Sequence, residues 1–134
     1  MEDVWIKVQC RKLPSFIVGC IYRHPKAPKE SFTYLEESFR SLCLKKKSIY
    51  VFGDLSYDLL LDGSKMLKII ESSNLTLMTK KPTRITENSS TLLDPFFTNS
   101  PQTVICTDVF PGLVADHELI VATINIKNLN VNQL

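Results

Sequence analysis

Two apolar runs bracketing an amphipathic helix constrain this chain more than any other feature. "SFIVGCIYR", Ser15 to Arg23, is almost continuously apolar and rich in β-branched residues. That composition suits a strand buried on both faces. It stops at "HPKAPK", where two prolines impose an extended connection. Ser31 then reads as an N-cap, and Phe32, Leu35, Phe39 and Leu42 form one helical stripe. Lys45, Lys46 and Lys47 follow at the helix C-terminal end, complement its dipole, and read as a solvated helix terminus rather than a DNA contact. "SIYVF" is the next strand, and "SKMLKIIESS", Ser64 to Ser73, is a second helix with Leu67 and Ile70 on its inner face. Strand, helix, strand, helix predicts parallel pairing through crossover helices, with ligands gathered at the C-terminal ends of strands.

The second half changes habit. "LTLMT", "STLLDPFFTN", "TVICTDVF" and "ELIVATINIK" are strand candidates with no helix between them, which predicts antiparallel pairing. Pro95 lies inside one of them and belongs at an edge or bulge, since it cannot donate to a ladder. At the start, Val4, Ile6 and Val8 alternate with Trp5 and Lys7, the pattern of a strand beginning almost at Met1. The expected fold class is mixed α/β: sheet packed on sheet, helices outside, parallel and antiparallel pairing combined. The 134 residues suit a single domain, expected over 1–127, with a polar tail at 128–134 that frays.

Charge and cysteine narrow the classes. A net charge of +2 demands no nucleic-acid partner by itself, although a local patch matters more than the sum. Cys10, Cys20, Cys43 and Cys106 form no CxxC pair. Cys20, Cys43 and Cys106 have apolar neighbours and read as small buried hydrophobes, reduced, in an intracellular compartment, nuclear or cytoplasmic. Charges interrupt the first 25 residues, so no secretory signal is visible. The apolar run "FIVGCIY" is far too short to cross a bilayer. Two glycosylation triplets, at Asn74 and Asn88, are of a kind frequent by chance.

The residues that can carry chemistry stand at strand ends and loop edges: Asp54 after Gly53, then Asp94, Asp116 and His117. Singly each has an ordinary role, as turn former, solvent-facing strand residue or cap. They are far apart in sequence, so only the fold can gather them.

Five motifs occur in order: "IYRHP", "GDLS", "PTR", "LLD" and "ADH". Together they resemble the endonuclease/exonuclease/phosphatase superfamily, nearest to the endonuclease domain of LINE-type, non-LTR retrotransposons. The resemblance runs from about Ile6 to Ile126. It implies part of a four-layered α/β sandwich, Mg2+ as cofactor, DNA as partner and phosphodiester hydrolysis as the reaction. Within it, Asp54 matches the carboxylate that orients or deprotonates water, His117 the imidazole on the scissile phosphate, and Asp94 the carboxylate that holds that imidazole. Tyr22 matches a tyrosine beside the phosphate, Asp116 an acidic member of the metal site, and Arg84 a candidate DNA-phosphate contact.

The sequence also departs from that pattern. Ser56 stands where asparagine is usual, a short hydroxyl in place of a longer amide. Leu55 replaces an aromatic, Pro95 follows Asp94, and Ala115 takes the place of a serine. The family's asparagine and metal-binding glutamate, carried on two earlier strands, have no counterpart before Tyr22. The resemblance therefore implies the C-terminal part of the domain, inactive alone, with a missing N-terminal segment or an edge-strand dimer as completing partner. The alternative is a non-catalytic remnant that at most binds DNA or protein. The strand from Val4 to Val8 is the expected exposed edge.

Overall fold

The computed structural model describes residues 1–61, 63–113 and 115–129. A five-stranded sheet forms the centre, built from β1 (Glu2–Val8), β2 (Phe16–Tyr22), β3 (Ile49–Asp54), β4 (Thr76–Leu77) and β7 (Phe96–Thr98), in the order β1-β2-β3-β7-β4. β2 and β3 pair in parallel across the crossover helix α1 (Glu30–Cys43), while β1, β7 and β4 join antiparallel. The mixed pairing follows the sequence pattern, with β1 at a sheet edge. Two hairpins complete the strands: β5 (Arg84–Ile85) with β6 (Ser90–Thr91), and β8 (Val104–Phe110) with β9 (Leu119–Ile124).

Side-chain alternation divides the core in two. Ile17, Ile21, Ile49, Val51 and Phe97 point to one face, where they meet Phe32, Leu35, Phe39 and Leu42 of α1 and Met66, Ile69 and Ile70 of α2 (Lys65–Ser72). The α1 stripe is thus the buried one. In α2 the inward face is Met66, Ile69 and Ile70, with Leu67 at its margin, a rotation from the expected Leu67–Ile70 pair that places Met66 in the core. Phe16, Tyr50 and Phe96 point to the other face, and the β8–β9 hairpin covers them with Val104, Ile120, Ala122 and Ile124. Tyr50 is fully buried there, and its phenol is 2.5 Å from the Thr103 hydroxyl. Among the described residues the layers are therefore helix, sheet and a smaller sheet, with both helices on one side. Among the described residues no α-helix lies on the outward face of the hairpin.

Several local expectations change. The second helix starts one residue later than expected, and Ser64 caps it, its Oγ accepting from the Leu67 amide. Ser31 does not cap α1: Lys29 holds that position, and Ser31 sits buried in the first turn, where its hydroxyl accepts from Arg23 Nε at 3.0 Å. The buried guanidinium, which also lies over the Phe32 ring, outcompetes the cap. The long candidate at 90–99 splits into β6 and β7 around Pro95, because a residue without an N–H ends the ladder. Cys20 and Cys106 are exposed and Cys43 is half-buried, against the reading of all three as buried. The cause is tertiary, since Cys20 faces the hairpin side where cover ends and Cys106 lies on the hairpin's outward face. All four thiols are free. Of the expected 128–134 tail, Leu129 is buried against the second cluster, and residues 130–134 lie outside the described residues. Among the described residues no helix is long and apolar enough to cross a membrane.

Candidate active site

The site is built where two parallel strands end together. Tyr22 and Asp54 are the last residues of β2 and β3 and are partners in register. The pairing runs one step further, the Arg23 amide donating to the Asp54 carbonyl at 2.8 Å. Gly53 allows this close approach. Its φ is +153°, and a side chain there would meet the Ile21 carbonyl. Asp54 then turns the chain. Its Oδ1 accepts from the Ser56 amide at 2.7 Å and the Ser56 hydroxyl at 3.2 Å, while Ser56 takes a left-handed φ of 45°.

Asp94 and His117 arrive from later segments, and Thr83 joins them. Its hydroxyl donates to Asp94 Oδ2 at 2.8 Å and accepts the amides of Leu93 and Asp94. Its carbonyl accepts the Glu118 amide, next to His117. Thr83 is completely buried. It is the middle residue of "PTR", a motif whose sequence reading singles out Arg84 alone. The signal was available in the motif, but a threonine's backbone-organising role appears only when its partners are in place.

His117 Nδ1 lies 2.8 Å from Asp94 Oδ2. A carboxylate can only accept, so Nδ1 carries the proton. Asp54, Asp94 and His117 each place a donor atom within 4.8 Å of the others. Asp116 is turned toward Arg84: Oδ2 accepts from Arg84 Nε at 2.7 Å, and Oδ1 stands 3.9 Å from His117 Nε2. The two are aligned by the Ile85 amide donating to the Asp116 carbonyl. Tyr22, Asp54, Ser56, Arg84, Asp116 and His117 all line one cleft of about 400 Å³. The fold thus brings these candidates to one cleft, and Asp94 reaches it through His117 rather than by lining it. Asp116 lies outside the compact Asp54–Asp94–His117 group and Arg84 is ion-paired rather than open.

Burial pushes the Asp94 carboxyl above its ordinary range. Its bonds to Thr83 and His117 and the His117 charge pull it back, and the Asp54 charge adds to the rise. Asp116 moves down, chiefly through the Arg84 hydrogen bond.

The mixed sheet with its crossover helix, backed by a second sheet, is a fold this chain shares with two solved structures. The chain is similar to the endonuclease domain of TRAS1, a telomere-specific non-LTR retrotransposon, with a TM-score of 0.76 and 21% identity over 94% of this chain and 64% of that one. It is also similar to an endonuclease/exonuclease/phosphatase family protein from Leptotrichia buccalis C-1013-b, with a TM-score of 0.64 and 14% identity over 92% of this chain and 53% of that one. The chain thus spans less than two thirds of the length of either structure. No protein-family model matches the sequence, and no curated protein matches it.

Proposed function

We propose that this chain carries the phosphate-handling part of a DNA endonuclease site and does not turn over by itself. The observation that supports this most is the Asp94–His117 pair held close to Asp54, with Asp54 and His117 lining one cleft. In this reading Asp54 orients or deprotonates the attacking water. His117, held by Asp94, stabilises charge growing on the phosphate. Tyr22 lies beside that phosphate, and Arg84 engages the DNA backbone on release from Asp116.

Mg2+, the ion the resemblance implies, prefers an octahedral set of oxygens, usually keeps several waters and needs only one or two carboxylates. Arg84 engages Asp116 Oδ2 and Ser56 engages Asp54 Oδ1, so the second oxygen of each carboxylate would hold the ion in the cleft. When bound, it would supply positive charge beside the phosphate.

The incompleteness extends to the sheet. Val4 and Ile6 on β1 are 62% and 57% exposed, and Cys20 beside Val4 is exposed as well. On the same face Val8 and Phe16 are covered. Cover thus runs out along β1–β2 toward Tyr22, and a further segment, or a second copy joined at this edge, would close both face and cleft.

Plasmid nicking with Mg2+ tests the proposal. The chain alone is expected to leave supercoiled DNA intact. Nicking by this chain that is lost on Asp54→Ala and on His117→Ala would overturn the claim of inactivity while keeping the nuclease assignment. A non-catalytic DNA-binding remnant is the second reading, favoured by the Ser56 hydroxyl bonding back to Asp54. It predicts salt-dependent DNA binding that survives Asp54→Ala.

A further inference from the structure

We propose that a second copy of this chain pairs with β1, antiparallel and in a register centred on Trp5, so that Asp3 of each copy faces Lys7 of the other. The inference names the occupant of the open edge and fixes its register. It stands on β1 and α1 and does not require the nuclease reading.

β1 ends the sheet, so one side of its backbone is free to pair. Its sequence, "EDVWIKV", complements itself when laid antiparallel about Trp5. A two-fold axis there sets Trp5 against the partner's Trp5, Asp3 against the partner's Lys7, and Val4 against the partner's Ile6. Trp5 packs on the helix side of the sheet and Val8 on the hairpin side. Alternation therefore puts the Asp3–Lys7 pairs beside α1 and the Val4–Ile6 pairs on the opposite face, where both residues are exposed. The indole leaves room at the edge. Its ring leans inward over Gly19, its neighbour in register on β2, where a Cβ would collide with it. Symmetric registers centred on Val4 or Ile6 set Asp3 or Lys7 against the indole and lose both charge pairs.

The helix side extends the complementarity. A groove of about 430 Å³ at the Asp3 end is lined by Asp3, Tyr34 and Glu37 and by no basic residue. A groove of about 470 Å³ at the Lys7 end is lined by Lys7, Lys45 and Lys47 and by no acidic residue. Trp5 and Leu42 line both and stand between them. The axis through Trp5 carries the partner's Lys7 to the acidic groove and the partner's Asp3 to the basic one. Neither charge is neutralised within its own copy. The Lys7 ammonium has no hydrogen bond or ion pair among the described residues. Asp3 accepts only from uncharged groups, Trp5 Nε1 at 2.8 Å and the Tyr34 hydroxyl at 3.3 Å. Opposite charges facing each other across strands are favourable and like charges unfavourable, and the symmetry counts each pair twice. The pairing also stands the partner's Val8 beside Glu2, in the row that ends at Tyr22. The partner's turn after β1 then flanks the open end of the cleft that Tyr22 lines.

Sedimentation velocity on the full chain, under reducing conditions and from low to high micromolar concentration, tests the pairing. A monomer–dimer equilibrium is expected, accompanied by a shift in the emission of Trp5, the chain's one tryptophan. Asp3→Lys and Lys7→Asp should each weaken the dimer at least about tenfold, because each sets like charges opposite one another twice. An equimolar mixture of the two variants should restore it, since every pair then joins opposite charges. Ile6→Lys, at a position already 57% exposed, should weaken the dimer by about tenfold or more without touching Asp3. Circular dichroism on each variant reports whether it is folded. A parent that stays monomeric at high micromolar concentration overturns the inference. So does a dimer that persists in folded Lys7→Asp or folded Ile6→Lys, or a mixture of the two folded charge variants that stays monomeric. A dimer that answers to the charge variants while the chain neither nicks nor binds DNA would end the nuclease proposal and leave this one standing. A monomer that nicks DNA would do the reverse.

Discussion

Gly53→Ala tests how the sheet delivers Asp54. Gly53 is the penultimate residue of β3, opposite Ile21 of β2, with φ at +153°. An added Cβ would stand 1.9 Å from the Ile21 carbonyl oxygen, which is backbone held in a parallel ladder and not the tip of a flexible side chain. Forcing a methyl into a packed region costs about 1–3 kcal/mol. A sparsely populated backbone conformation for a residue other than glycine adds about 1–3 kcal/mol. Roughly 2–6 kcal/mol is a large share of a total stability of about 5–15 kcal/mol. For a chain of this length each kcal/mol moves Tm by about 3–5 °C, so a fall of at least about 6 °C is expected. Thermal unfolding followed by circular dichroism measures it. The substitution should also separate the ends of β2 and β3, withdrawing Asp54 from His117, and an altered His117 ring-proton spectrum would report that. A Tm within about 2 °C of the parent, with His117 signals unchanged, would refute the reasoning.

Three further outcomes are expected. Leu35→Ala empties a position that is 1% exposed and should cost about 2–5 kcal/mol, read from the urea midpoint. Asp94→Asn should stabilise the chain at neutral pH. Because the folded carboxyl is raised, its favourable contribution is present below the ordinary aspartate pKa and lost as pH rises through the folded value, so the variant's advantage in urea unfolding should grow from acid to neutral pH. Arg84→Ala should let the Asp116 carboxyl titrate at higher pH, seen by NMR, and the parent's small stabilisation from this exposed pair should be lost as pH falls through the depressed Asp116 value.

Much of the frame was legible because local pattern and burial agree. The α1 stripe could not form anything but one face of a helix, and its four apolar residues are the ones that meet the sheet. The β2 and β3 runs are apolar on both faces because helices cover one side and a hairpin the other. The ordered motifs likewise contain Tyr22, Asp54, Ser56, Arg84, Asp94, Asp116 and His117, the residues the fold brings together at the strand ends.

The chain by itself determined which segments are regular and which residue types are available for chemistry, since periodicity and turn residues act over a few positions. Tertiary structure alone decided where each polar side chain spends its hydrogen bonds. It turned Ser31 from a cap into a partner for Arg23, made Thr83 the joint between Asp94 and Glu118, and closed Arg84 onto Asp116. It also exposed Cys20 and Cys106, whose neighbours in sequence are apolar. Those outcomes depend on groups tens of residues away, and a side chain's competing partners exist only once the layers have packed.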